Sequence, residues 1–174
     1  VLDRKIGART LFSILQDIQA HLSWMDKDGD RLPEKAVGST QDWLDEIPRG
    51  GEVLSNEVLY YQSLVDLTEL ASLQKQEVVG SAYRRLANSV RFQINRQFWN
   101  EEKGYYNEYC EEDVCNDRLT NESSLAALFN VVSARNRPRL FSALRTLETN
   151  RNSAQPYGDW GVLNAWPLYE GKKI

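Results

Sequence analysis

Apolar residues recur at helical spacing in five stretches of this chain, and the stretches alternate between a single apolar face and apolar residues nearly all the way round. From about Arg4 to Ser23, Leu11, Ile14, Leu15, Ile18 and Leu22 form one stripe opposite Gln16, Asp17 and Gln19. From Asn56 to Leu73, Val58, Leu59, Leu64, Val65, Leu67, Leu70 and Leu73 leave almost no polar side. The stretch from about Ser81 to Phe98 is one-sided again, with Tyr83, Leu86, Val90 and Ile94 set against Arg84, Arg85, Asn88 and Arg91. Thr120 and Asn121 are good caps for a helix to about Ala134 that is apolar all round, and Pro138 suits the first turn of a one-sided helix through Leu140, Phe141, Leu144 and Leu147. A helix with one apolar stripe rests on a layer and faces water, whereas one apolar on every side lies between layers. The alternation therefore predicts an all-α chain in two concentric layers of antiparallel helices, an α/α toroid or part of one.

Between the helices, Phe98-Trp99, a turn around Glu102-Lys-Gly104, and Tyr105-Tyr106 read as a short aromatic β-hairpin. Gln155 to Tyr169, which includes Asp159 and Trp160, reads as a long aromatic loop. Asn121-Glu-Ser123 also matches the N-glycosylation pattern, but capping is the stronger reading.

A net charge of -4 at pH 7 gives no electrostatic footprint for nucleic acid or an anionic membrane, although basic residues gather between Arg84 and Arg96. No run approaches the roughly 20 apolar residues of a membrane span. Neither partner is expected. His21, the one histidine, lies in a helical stretch far from Cys110 and Cys115, so the cysteines lack further zinc ligands and no metal or other cofactor is expected. The pair is either a local disulfide or two free thiols, depending on compartment. Asp26, Asp28 and Asp30 alternate like the first ligands of a calcium loop, but Arg31 and Val37 occupy the positions that need Gly and a bidentate Glu. An Asp/Gly turn is the expected structure there.

That turn opens the stretch from Trp24 to Gly51, where Asp42, Asp45 and Glu46 surround Trp43 and Arg49 follows. The segment is too polar for a core and too rich in Gly and Pro for a helix. The mixture suits carbohydrate, because hydroxyls want carboxylates and guanidinium forks while a pyranose face wants an aromatic plate. Tyr60 and Tyr61, early in the second helix, are candidate lining residues, though two tyrosines on such a helix are more often packing.

The order of these motifs resembles the six-hairpin glycosidases, a clan that includes glucoamylase, trehalase, processing α-glucosidases and the glucosidase domain of glycogen-debranching enzymes. The resemblance is carried by Asp28-Gly-Asp-Arg-Leu-Pro-Glu34, Asp42-Trp-Leu-Asp-Glu-Ile-Pro-Arg49, Asn56-Glu-Val-Leu-Tyr-Tyr-Gln-Ser-Leu64 and the Phe98 to Tyr106 hairpin. It implies a glycoside hydrolase, acting on α-glucosides or related small glycosides, whose general acid sits in the loop before an inner helix. Asp45 fits that role best, Asp42 second and Asp26 third. Trp24 or Trp43 would stack on the sugar, Arg49 would bind a hydroxyl or carboxylate, and Glu46, Asp159 and Trp160 would line the site. The clan mostly inverts, which needs a second carboxylate about 6.5 to 9.5 Å from the acid. In the clan that base lies toward the end of the toroid, and five helices do not close six hairpins. Residues 1–174 are therefore expected to be part of a single catalytic toroid, with further helices outside the chain, and the isolated chain to be inactive. The competing expectation is a non-catalytic carbohydrate-binding or helical interaction domain.

Overall fold

The computed structural model describes residues 4–36, 42–44, 47–112, 114–148 and 161–169. Strands β1 (Lys5–Ile6) and β2 (Arg9–Thr10) pair antiparallel and lead into α1 (Leu11–Ser23). The helix predicted from Arg4 thus starts seven residues later, where the Thr10 side chain accepts from Ser13 N at 3.1 Å and caps the first turn. Residues 5–10 satisfy their backbone groups in the hairpin instead.

The central unit is the helical hairpin of α2 (Leu54–Leu73) and α3 (Glu77–Gln97), both close to the predicted bounds. The two helices approach closely at Gly80, where a Cβ would meet Thr68 O at 3.3 Å and the Ala71 Cβ at 3.4 Å. α2 packs on α1, α3 and α4 (Ser123–Leu128), so its apolar residues are shared among several neighbours. Leu59 and Leu73 are nevertheless 50% and 73% exposed, so the described elements do not sheathe α2 on every side. α3 is one-sided as expected, burying Ala87, Val90 and Ile94.

Chain geometry departs from the helical pattern after Leu128. Asn130 takes φ 58, Val131 and Val132 both donate their N–H to Ala126 O, and their side chains are buried in the main core. The apolar run to Ala134 is therefore a helix of six residues followed by a turn that buries two valines. Thr120 lies in a strand, and the Asn121 amide donates to Asn164 Oδ1 at 3.2 Å rather than capping. Pro138 does stand in the first turn of α5 (Arg137–Leu144), which tightens into a 3-10 turn at Arg145–Leu147.

The predicted aromatic hairpin forms as β4 (Trp99–Asn100) and β5 (Tyr105–Tyr106), with the Trp99 and Tyr106 rings 5.1 Å apart and edge to face. Two further sheets were not foreseen. β3 (Glu52–Val53) pairs with β6 (Tyr109–Glu111), which pairs with β7 (Val114–Asn116), and β8 (Leu119–Thr120) pairs with β9 (Ala165–Trp166). The described chain is thus helical with small sheets, not all-α. Each added strand has only two or three residues and pairs with a partner that periodicity does not reveal. Cys110 and Cys115 face each other across β6 and β7 and form a disulfide. Gly51, at φ 61, precedes β3 where a Cβ would come within 2.1 Å of Cys110 O, so the loop enters this sheet only through a glycine.

Candidate active site

Three elements that converge at the start of α2 and α4 bring together a buried set of charges. Arg49, fully buried, comes from the loop before β3; Glu108 precedes β6; Glu122 precedes α4. The Arg49 fork donates from Nη2 to Asp42 Oδ1 at 2.8 Å and from Nη1 to Glu122 Oε1 at 2.7 Å, with Glu108 Oε1 at 3.4 Å. Lys35 Nζ holds the other Asp42 oxygen at 2.6 Å. Arg118 Nε lies 3.7 Å from Glu108 Oε2 and its guanidinium stacks 4.3 Å from the Tyr169 ring, while the Tyr169 hydroxyl donates to Glu108 Oε1. Three cations therefore face three carboxyl groups among the described residues. Such a set is stable only while the pairing is complete, because each buried charge alone costs several kcal/mol.

Trp43 covers the cluster. Its Nε1 donates to Glu122 Oε1 at 2.5 Å and its ring centroid is 5.9 Å from the Arg49 guanidinium carbon, yet the residue is 53% exposed. The result is an aromatic plate locked from below and open above. Beneath it, Arg49 Nε, Glu108 Oε2 and Glu122 Oε2 are buried without a hydrogen-bond partner among the described residues. Orphaned polar atoms of this kind are rare in folded proteins and mark places where water or a ligand completes the network.

The carboxyl groups differ in their protonation. Burial pushes the Asp42 acid up, but hydrogen bonds from Arg49 and Lys35 overcome it and hold the group below its ordinary value. Asp42 is thus an ionised acceptor. For Arg49, burial works against the charge, and Glu122 and Asp42 more than offset it. Glu108 is pushed up to about 7 by burial, against the opposing pull of Arg49. It is the member of the cluster that changes charge near neutrality.

Lys35 also forms one wall of a cavity of about 720 Å³ lined by Asp28, Asp30, Glu52, Arg96 and Gln97. Glu52 is raised to about 8 by burial and by Asp30, and its carboxylate accepts from Gln97 Nε2. The carboxylate oxygens of Asp28, Asp30 and Glu52 lie within 4.8 Å of one another, as do those of Asp26, Asp28 and Glu34; these are the described residues able to share a cation. Deeper still, Glu57 is fully buried in the first turn of α2 with neither oxygen paired among the described residues, and burial, then Glu52, raises it well above the carboxylate range.

Residues 7–162 match the family model of the bacterial alpha-L-rhamnosidase 6 hairpin glycosidase domain. The chain belongs to this family. Among solved structures, it is similar to a GH78 family rhamnosidase of Bacillus sp. GL1, with a TM-score of 0.65 and 20% identity over 84% of this chain. The chain spans 15% of the length of that rhamnosidase. No curated protein sequence matches it.

Within this six-hairpin glycosidase domain, the structure brings Asp42, Trp43 and Arg49 together as the loop composition implied. Asp45 and Glu46, between them in sequence, lie outside the described residues, as do Asp159 and Trp160. Trp24 is 84% exposed just beyond α1, and Asp26 is engaged in its own turn, accepting from Gly29 N at 2.8 Å and Arg31 N at 3.1 Å. The Asp/Gly turn forms as expected. Tyr60 is buried, with its hydroxyl 3.0 Å from Ser23 Oγ, and Tyr61 packs on the main core, so both are packing residues here. Lys35, Glu108, Arg118, Glu122 and Tyr169 escaped the sequence reading. Glu122 sat in view inside Asn121-Glu-Ser123, where capping explained it away, and Glu108 had only a polar Asn-Glu step between tyrosines to mark it.

Proposed function

We propose that this domain forms part of the active site of a glycoside hydrolase, and that terminal α-L-rhamnosides rather than α-glucosides are its substrates. The observation that carries the proposal is the half-exposed Trp43 plate locked over Arg49, Asp42, Glu108 and Glu122, with polar atoms of that cluster left without a partner among the described residues. A rhamnoside presents hydroxyls together with an apolar methyl edge, which suits fixed acceptors beside an aromatic face. The family match supports the choice of sugar.

In this reading the ionised Asp42 holds substrate or Arg49 and does not donate a proton. Asp45 remains the proposed general acid. It lies in sequence between Asp42 and Arg49, which pair with each other at 2.8 Å. The domain closes as an α/α toroid with helices outside this chain, one of which supplies the base, and the reaction inverts. Asp42, paired with two cations, equally suits a non-catalytic sugar-binding domain.

The test is hydrolysis of aryl α-L-rhamnoside, α-D-glucoside and α-D-mannoside by the full natural polypeptide and by its Asp45→Asn variant. Selective rhamnoside cleavage that falls at least roughly 10³-fold in the variant, with sugar binding retained, is expected. Activity that survives the substitution removes Asp45 as the acid. Rhamnose binding without turnover of any glycoside by the unmodified polypeptide favours the non-catalytic reading.

A further inference from the structure

The turn after α1 lies against α3, and their seam holds a depression that the Arg49 cluster does not use. Its volume is about 430 Å³, and Gly29, Asp30, Arg31, Asn88, Phe92 and Gln93 contribute to its walls. A second depression of about 360 Å³ shares Gly29 and Arg31 with it and reaches Ser23 and Tyr60.

Phe92 is 67% exposed on the otherwise polar face of α3. Beside it, Arg31 stands at φ 90, a backbone conformation that residues with a Cβ rarely adopt. The surroundings enforce it: Arg31 N donates to Asp26 Oδ2 at 3.1 Å, and Gln93 Nε2 donates to Asp30 O at 2.9 Å, stitching the turn to the helix. Strain of this kind persists only where neighbouring structure over-determines it, and it concentrates at sites with a task. The guanidinium of Arg31 and the amide of Asn88 have no hydrogen-bond partner among the described residues.

We propose that this seam is a second carbohydrate-binding site, in which the Phe92 ring stacks on a pyranose and Arg31 and Asn88 bind its hydroxyls. Other ligand classes fit less well. The acids that could share a cation, Asp28 with Asp30 and Glu52 and Asp26 with Asp28 and Glu34, gather among themselves, and of them only Asp30 lines this depression. The net charge of -4 does not suit a nucleic acid, even with the basic residues of α3 nearby, and one phenyl ring is too little apolar area for a protein partner. What remains is an aromatic plate flanked by planar donors, which is the chemistry of a neutral saccharide.

The test is affinity electrophoresis of the full natural polypeptide in native gels containing galactomannan, xyloglucan or arabinogalactan, a measurement that needs no turnover. Retardation is expected in at least one gel, and Phe92→Ala should weaken it by about tenfold. Arg31→Gly, which relieves the positive φ, should raise the melting temperature while weakening retardation, a combination that a purely structural role does not produce. Asp45→Asn should leave retardation unchanged, so this site and the catalytic reading stand or fall separately. Mobility unaffected by every polysaccharide, or retardation of Phe92→Ala and Arg31→Gly equal to that of the unmodified polypeptide, overturns the proposal. A concentration-dependent dimer that Phe92→Ala abolishes also overturns it, by making the seam a self-association surface.

Discussion

Replacing Arg49 with Met keeps the volume of the side chain and removes its charge, leaving the buried carboxylates short of a partner. Among the described residues, Asp42 would retain Lys35, Glu108 would retain Tyr169 and Arg118, and Glu122 would keep only the Trp43 indole. Arg49 is fully buried and pairs at 2.7 and 2.8 Å, so its loss belongs with the breaking of a buried ion pair, about 3–5 kcal/mol at pH 7. Against a domain stability of roughly 5–15 kcal/mol, that is from about a fifth of the total to all of it. The cost should shrink as pH falls toward 5, because an uncompensated carboxylate is relieved by taking up a proton. Urea unfolding followed by tryptophan fluorescence at pH 7 and pH 5 measures both effects, provided the denaturant slope is unchanged. A loss below about 1 kcal/mol at pH 7, or one that grows on acidification, would refute the view that Arg49 neutralises this cluster.

Glu108 sets a pH slope. Its acid is raised from 4.5 to about 7 in the folded state, so folding holds a proton that the unfolded chain releases. The stability it confers is complete below pH 4.5 and declines as pH rises through 7, by at most roughly 3 kcal/mol, and Glu108→Gln should flatten that part of the stability profile. Gly51→Ala places a methyl 2.1 Å from Cys110 O at φ 61, and should cost roughly 1–3 kcal/mol in backbone strain with a similar amount from overpacking, read as a lowered urea midpoint. The Cys110–Cys115 disulfide closes only a short loop, five residues in separation, so its reduction by dithiothreitol should lower stability by about 2 kcal/mol without unfolding the protein.

Local chemistry was legible in the chain. The α2 and α3 helices follow their apolar spacing, the Asp26 to Glu34 turn follows its Asp and Gly residues, and the Trp99 to Tyr106 hairpin follows its aromatic pairs and Gly104. Each of these is decided by interactions within a few residues, which is the range over which side-chain periodicity and turn preference operate. Asp42, Trp43 and Arg49, within eight residues of each other in the acidic loop, likewise meet in the structure.

Only the tertiary structure supplied the other half of that site. Glu108 and Glu122 reach Arg49 across sequence separations of 59 and 73 residues, and nothing in their immediate neighbours distinguishes a buried ion-pair partner from a surface acid or a cap. The same limit explains the apolar run after Leu125. Its spacing permits a helix to Ala134, but burial of Val131 and Val132 in the core, through a turn at Asn130, outweighs the local preference. By itself the sequence determines which segments can be helices, which residue types line the acidic loop, and that sugar chemistry suits them. Which charges meet, and hence which are paired, ionised or held near neutrality, depends on distances between remote segments that exist only once the core has packed.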